Sequence, residues 1–386
     1  MDFELSQEQH AFQKVLRDFV RTHIRPVARE WEQTGRYPTE IVEGMKTLGL
    51  FGMTVPDEYG GLAVDMVSYA IAFEEISRGW MGIAGILGSH SLSCWMLARF
   101  GTEPQKRRWL PELATGQRRT GIALTEPGAG TDLQAITTRA ARDGDHYVLR
   151  GTKMWITNAR HADPLPVLCV IDPAVEPRHR GLGVLLVEAG TPGFTVGRDL
   201  GKLGYKGTES CEVHFDGARI PVGHLLGGVE GQGFKQVVAA LEVGRINIAG
   251  RSVGIAQAAL DAALRYSRER HAFGQPIGDF QAVQLKLADL ATQIQAARLL
   301  TWWAAARKDA GHRTDTETAM AKLFASEVAI KAALDSMRIH GGYGYSTEFE
   351  IERLYRDAPL MAIGEGTNDI LRVLIARALA RDIPPA

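Results

Sequence analysis

The sequence predicts an α+β fold in three consecutive blocks, helical, then β, then helical, and three observations carry that reading. The first block consists of long proline-poor runs that end in glycine, as in SLSCWMLARFG. The middle block breaks into short apolar runs, VLCVID, GVLLVEA, GFTVGR and CEVHFDGARIPV, separated by glycine, proline and Asp-Gly turns. The last block returns to apolar or small residues at helical spacing. These shifts divide the chain into an N-terminal all-α domain at 1–118, a middle β domain at 119–230 and a C-terminal helical bundle at 231–386.

Each block has local support. In the β block, RDGDHYVLRG at 142–151 reads as one arm of a hairpin. In the last block, Val283, Leu287, Leu290, Ile294, Ala297 and Ala304 recur on one helical face, and Leu323, Ile330, Leu334 and Met337 repeat the pattern. Two such helices predict an up-and-down bundle. No fixed-period repeat or low-complexity tract interrupts the chain, and EPRHRG at 176–181 reads as a solvated turn.

Composition narrows the function. Of 386 residues, 45% are hydrophobic, enough for a large core. With 44 basic and 45 acidic side chains the net charge is −1, so no general attraction to nucleic acid or anionic membrane is expected. Cys94, Cys169 and Cys211 lie far apart without a CxxC pair, which argues against a disulfide framework and for a reducing cytoplasm. The start, MDFELSQEQH, carries acids where a signal peptide carries bases, and no uninterrupted apolar stretch reaches membrane-spanning length. The eleven histidines show no HxxxH or HExxH spacing, so no metal is expected.

Four segments are candidates for chemistry. TEPGAGTD at 125–132 and HGGYGY at 340–345 match neither G-x-G-x-x-G nor a P-loop; their backbone N–H groups could line a polar ligand, or the segments could be ordinary turns. GTKMWITNA at 151–159 places Trp155 and Thr157 on one face of a strand, a flat ring beside a hydroxyl, or else a core tryptophan. MAIGEGTNDILR at 361–372 sets Glu365 between two glycines. The flanking glycines let the backbone come close to a partner; the plainer alternative is an acid just outside a helix capped by Thr367, with Asp369 favourable to the dipole.

Taken together and in order, LTEPGAGTD (124–132), KMWITNA (153–159), RERHAFGQPIGDFQ (268–281), HGGYGY (340–345) and GEGTNDILR (364–372) closely resemble the acyl-CoA dehydrogenase family, from LSQEQ near the start to the last helix. The resemblance implies a barrel- or sandwich-like middle domain, a C-terminal four-helix bundle, and FAD and an acyl-CoA thioester held between them. Glu365 takes the position of the base that removes the α-proton while the β-hydride passes to flavin N5, making a trans-2-enoyl-CoA. Burial against an acyl chain would raise a carboxyl that in water titrates at about 4.3. The thioester oxygen would meet the Glu365 N–H and a flavin hydroxyl.

The resemblance also assigns contacts. Leu124, Thr125, Thr131, Trp155, Ile156, Thr157, Thr367 and Asp369 match flavin positions, with Thr125 and Thr157 bonding the ring and Trp155 packing on it. Arg270, Phe273, Gln281, Arg338, Gly341 and Gly342 match the adenine and pyrophosphate segments, shared across a subunit interface, which implies a homotetramer built as a dimer of dimers. Thr131, Glu242, Arg245, Gly364 and Gly366 match substrate positions, although Glu242 and Arg245 could instead form a solvent-side helix pair. GILGSHSLSCW, 85–95, matches the tail end of the acyl cavity. Two departures stand out. Arg338 replaces a glutamine common in the family, and Gly364 replaces the tyrosine of straight-chain members, as in isovaleryl-CoA dehydrogenases, which opens space for a branched or cyclic acyl group. Gly244 occupies the alternative base position and leaves Glu365 without a rival. The implied electron acceptor is an electron-transfer flavoprotein; the open alternatives are a flavin oxidase or monooxygenase of the same fold, and a non-catalytic acyl-thioester binding protein.

Overall fold

A computed structural model describes residues 4–381; residues 1–3 and 382–386, the outer ends of the first and last predicted domains, lie outside it. Helix α1 (Gln7–Phe19) starts at a capping box, where the Ser6 side chain accepts from the Gln9 N–H and the Gln9 side chain returns to the Ser6 N–H. A π-turn at Val20–Ile24 joins it to α2 (Arg25–Thr34), which stops at Gly35 in the left-handed conformation. The α3 (Thr39–Thr47), α4 (Met66–Gly79), α5 (Met81–Phe100) and α6 (Glu103–Ala114) helices follow.

Helix α5 has no uninterrupted apolar run of membrane-spanning length, since Ser89, His90, Ser91 and Ser93 divide it, yet it is long and apolar enough on average to be compared with a membrane span. Its apolar window has a mean hydropathy of 1.3, but 83% of that window is buried inside the protein. Its apolarity serves the core, where it packs on α4, α6 and the long helix that follows the β domain.

The middle block forms one mixed six-stranded sheet from β1 (Arg139–Asp143), β2 (His146–Thr157), β3 (Leu165–Val170), β4 (Leu182–Val187), β5 (Phe194–Asp199) and β6 (Ser210–Pro221), in the order β4-β3-β1-β2-β6-β5. The predicted hairpin is β1–β2, paired antiparallel and turning at Gly144. The run CEVHFDGARIPV forms β6, with Asp216-Gly217 inside it: Leu149 pairs with Ala218 and Arg150 with Asp216, so Gly217 bulges out with φ 70°. Beyond β6, Leu225 bridges Leu185 of β4, curling the sheet toward a barrel.

The last block contains α7 (Gly233–Glu269), a small hairpin of β7 (His271–Ala272) and β8 (Gln275–Pro276), then α8 (Gln281–Asp309), α9 (Asp315–His340), α10 (Ile351–Ile363) and α11 (Asn368–Arg381). Helix α7 packs against α4, α5, α8, α9 and α10, linking the N-terminal helices to the last block, where α4 also touches α8. On α8 the expected stripe is buried at Leu290, Ile294, Ala297 and Ala304. On α9 the expected stripe, Leu323, Ile330, Leu334 and Met337, is only half-buried, while the fully buried face is Ala321, Ala325, Val328, Ala329, Ala332 and Ala333. Small residues let α9 approach the equally alanine-rich Ala256, Ala258, Ala259 and Ala263 of α7 closely, so the larger side chains turn outward.

Candidate active site

The short link between α10 and α11 holds Glu365. Helix α10 ends where the Gly364 N–H meets the Leu360 carbonyl at 2.9 Å. Glu365 then takes φ 58° and Gly366 φ 91°, and α11 restarts with the Thr367 hydroxyl accepting from the Ile370 N–H at 3.4 Å. A positive φ at glutamate is uncommon and costs conformational energy, so something must hold the turn. Lys322, wholly buried on α9, does so: its Nζ donates to the Gly366 carbonyl and to Asn368 Oδ1, both at 2.9 Å. Asn368 in turn donates to Ser326 Oγ at 3.0 Å and Glu327 Oε1 at 2.9 Å.

This backbone aims the side chain at α7. A Cβ placed on Gly244 would overlap Glu365 Oε2 and lie 2.7 Å from both its Cδ and Leu92 Cδ1 of α5. Although the residue as a whole is half-buried, Oε2 is inaccessible and has no hydrogen-bond partner. Burial therefore pushes the carboxyl pKa above its ordinary value, opposed by the charges of Arg251, Arg245 and Lys322. A desolvated, unpaired carboxylate with a raised pKa suits a general base. The plainer reading, an acid beside a helix cap, accounts for Thr367 but not for the burial.

Six of the flavin candidates, Leu124, Thr125, Thr131, Trp155, Ile156 and Thr157, lie on the β domain, while Thr367 and Asp369 lie at the start of α11. Strand β2 loses register with β6 between Lys153 and Ile156, and Trp155 projects from that irregularity with φ 65° and 52% exposure. Ile156 turns into the sheet core while Thr157 is half-buried. Trp155 is thus not a core tryptophan. Thr125 and Leu124 are half-buried alongside, the Met154 N–H donating to the Thr125 carbonyl at 2.8 Å, whereas Thr131 is exposed.

A buried ion pair, absent from the sequence reading, locks these loops. Lys153 Nζ donates to Glu126 Oε1 at 2.9 Å and to the Leu124 carbonyl at 2.8 Å, while Glu126 also accepts the N–H groups of Thr137 and Thr138 at 2.7 and 2.9 Å. Burial acts to raise the Glu126 pKa, but the Thr138 hydrogen bond and the Lys153 charge outweigh it and hold it at about 2. Just beyond β2, Asn158 donates to the Ile86 carbonyl of α5 at 2.8 Å, docking that strand on the helix whose Leu92 borders the Gly244 space.

A second cluster forms a cleft of about 650 Å³ lined by Tyr266, Arg270, Gly341, Gly342 and Tyr343 among others. It unites three of the predicted adenine and pyrophosphate residues, Arg270, Gly341 and Gly342, with Arg270 5.9 Å from the Tyr343 ring centroid. No atom lies within 4 Å of a Cβ placed on either glycine, so the cleft floor is open for a bulky anionic group. Phe273, 96% exposed, and Gln281, exposed at the start of α8, face outward. Arg338 does not line the cleft; it is exposed and paired with Asp335 at 3.3 Å. Asp369 is exposed beside Arg372.

Glu242 and Arg245 do not form the solvent-side pair that their spacing allowed. Both are buried, Glu242 held by Lys308 Nζ at 2.6 Å and Thr314 Oγ1 at 3.1 Å, and Arg245 reaching the Asp315 carbonyl at 3.4 Å. A Cβ on Gly364 would meet only the Leu360 carbonyl, at 3.5 Å, so the space beside the base is open. Among the described residues no group of three or more His, Cys, Asp or Glu could hold a metal, and all three cysteines are free and buried.

An α-β-α flavoprotein fold, an exposed aromatic on the β domain, an open pyrophosphate-sized cleft and a buried carboxylate define the class. Residues 6–117, 121–218 and 231–380 match the N-terminal, middle and C-terminal domains of acyl-CoA dehydrogenase respectively. The chain is 43% identical over 383 residues to a probable acyl-CoA dehydrogenase, YngJ, of Bacillus subtilis (strain 168), covering 99% of this chain and 100% of that one. It superposes on butyryl-CoA dehydrogenase from Megasphaera elsdenii with a TM-score of 0.95 at 37% identity, covering 99% and 100% of the two chains. It superposes equally, at 38% identity and the same coverage, on a chain in a structure concerning the electron transferring flavoprotein of Acidaminococcus fermentans. The chain belongs to the acyl-CoA dehydrogenase family, an FAD-dependent family of oxidoreductases.

Proposed function

We propose that this chain oxidises a short or branched acyl-CoA thioester to its trans-2-enoyl-CoA, with Glu365 removing the α-proton. The observation that carries the reading is the buried, unpartnered Glu365 Oε2 on a backbone turn pinned by Lys322. Without water or a hydrogen-bond donor, that oxygen has a proton as its best available partner, and an acidified C–H beside a thioester supplies one. Bound FAD supplies the acceptor for the β-hydride. The chain's own part is positional. Trp155, Thr125 and Thr157 present a flat face and two hydroxyls to the ring, Arg270 with Gly341 and Gly342 accommodates the pyrophosphate, and Gly244 leaves the space that the carboxylate fills.

Gly364 supports the substrate size, since nothing beyond the preceding turn fills the space beside it, and the likeness to a butyryl-CoA dehydrogenase points the same way. The likeness to a chain associated with an electron transferring flavoprotein supports such a protein as electron acceptor. Homotetramer formation is part of the same reading: Phe273 and the outward apolar residues of α8 and α9, Leu285 and Phe324, would be covered by further copies. A cytoplasmic location follows from the cysteine usage.

The test is anaerobic mixing of the purified yellow protein with butyryl-, isobutyryl- and isovaleryl-CoA. Bleaching of the flavin by at least one, with no oxygen uptake in air, supports a dehydrogenase. Absence of bleaching by any acyl thioester defeats it, and peroxide release turns the reading to an oxidase.

A further inference from the structure

Behind Glu365, the seam between α5 and α7 is polar where an acyl tail calls for apolar lining. Two side chains beyond Gly244 on α7, Asn247 and Arg251, are buried, at 0% and 4% exposure. They face Gly88 of α5, one turn from Leu92, which borders the same Gly244 space as Glu365: a Cβ on Gly88 would lie 2.9 Å from Asn247 Nδ2 and 3.0 Å from Arg251 Cζ. The Arg251 guanidinium thus occupies the space that a side chain at 88 would take. Asn247 Nδ2 and Oδ1 and Arg251 Nε are buried with no hydrogen-bond partner at normal distance, and the buried Tyr69 hydroxyl of α4 stands beside Asn247, Ser91 and Arg251. Polar groups gathered there without well-made hydrogen bonds carry a large desolvation cost unless a ligand completes them.

The local charge is also unbalanced. Glu365 faces three cations, Arg251, Arg245 and Lys322. The acids on α4 nearest in sequence to Tyr69 are taken, Glu74 by Arg298 at 2.9 Å and Glu75 by Arg17 at 2.8 Å. Among the described residues no carboxylate lies within salt-bridge distance of Arg251, whose one flat contact is Phe73, 5.5 Å from its Cζ. A buried guanidinium without a partner is strongly unfavourable, and an alkyl tail pressed against it leaves it so.

We propose that Arg251, Asn247 and Tyr69 form the floor of the acyl site and recognise a carboxylate at the far end of a short acyl chain, so that the favoured substrate is the CoA hemithioester of a dicarboxylic acid. The proposal rests on the dehydrogenase reading above and specifies its substrate. Arg251 closes the site to long chains because it fills the Gly88 space, and it favours an anionic end because a planar fork binds a carboxylate through two parallel hydrogen bonds.

The experiment compares succinyl-, glutaryl- and adipyl-CoA with butyryl-, pentanoyl- and hexanoyl-CoA, reading kcat/KM by flavin reduction and binding by the shift of the flavin spectrum, in the wild type and in Arg251→Met and Arg251→Lys. The expected result is that a carboxylate-ended chain outperforms its unsubstituted partner of equal length by about a hundredfold, and that Arg251→Met collapses this ratio. Taking the ratio removes any effect of the Arg251 charge on Glu365, which acts on both series alike. Equal or better performance of the unsubstituted series, with a ratio unmoved by Arg251→Met, overturns the proposal. If Arg251→Met yields no folded flavoprotein, the wild-type ranking and Arg251→Lys decide. Should no thioester reduce the flavin, the dehydrogenase reading itself fails, while the flavin shift still reports whether the carboxylate-ended series binds through Arg251.

Discussion

The carboxylate of Glu365 and the Cα of Gly244 share one small space: Oε2 lies where a side chain on Gly244 would begin. The carboxylate and the bare position on α7 are therefore complementary. Gly244→Ala should displace the carboxylate and slow flavin reduction by roughly a hundredfold, the scale of a misplacement of about 1 Å. FAD content, read from the visible spectrum, should stay unchanged, since the atoms nearest a side chain at 244 belong to Glu365 and Leu92.

Burial raises the Glu365 pKa, and only the deprotonated form can accept a proton. The rate of flavin reduction should therefore rise with pH through a limb centred above the ordinary glutamate value of 4.5. Arg251, Arg245 and Lys322 all act to lower that pKa, so Lys322→Met should move the limb further up. A limb at the ordinary value in both proteins would contradict the burial argument.

Lys322 itself has a pKa lowered by burial to about 7, with Glu365 acting in the opposite direction. The native lysine then gives up its proton before the unfolded one does, so its contribution to stability rises between about pH 7 and its ordinary 10.5 and is flat outside that window. Lys322→Met should lose about 1–3 kcal/mol from the unsatisfied Gly366 and Asn368 acceptors, and should abolish this rise in a series of denaturant melts.

The Lys153–Glu126 pair joins both flavin loops. Lys153→Met leaves Glu126 buried with its Thr137 and Thr138 hydrogen bonds but without its counter-charge, and should destabilise the protein by about 3 kcal/mol while lowering FAD retention. Because the Glu126 pKa is depressed to about 2, its stabilising contribution is complete above 4.5 and should fade as the pH falls toward 2. Thermal melts with and without added FAD measure both effects.

Trp155 is 52% exposed and stands on an irregular stretch of strand, so truncating it removes little protein packing. Trp155→Ala should leave apoprotein stability within about 0.5 kcal/mol, yet weaken FAD binding, seen as a fall in flavin absorbance after gel filtration.

The glycines around Glu365 were legible as a permissive turn because only backbone constraints are involved, and the β runs because alternation and turn residues are local signals. The buried pairing of Lys153 with Glu126 was not, since 27 residues separate them and only the folded loops bring them together. Lys322 and Arg251 escaped for a related reason: a cation inside an apolar helical stretch looks like a solvated position until the neighbouring helices are in place. The α9 stripe misled because periodicity marks which residues share a face, not which face lies inward. Where alanine lines the tighter interface, the larger side chains lie on the looser one.

The central claim is that Glu365 takes the α-proton. Its most direct test is the exchange of the acyl α-hydrogen with solvent deuterium, followed anaerobically by mass spectrometry in wild type and Glu365→Gln at equal FAD content. The account predicts exchange in the wild type and its loss in the variant. Exchange at an undiminished rate in Glu365→Gln would contradict it.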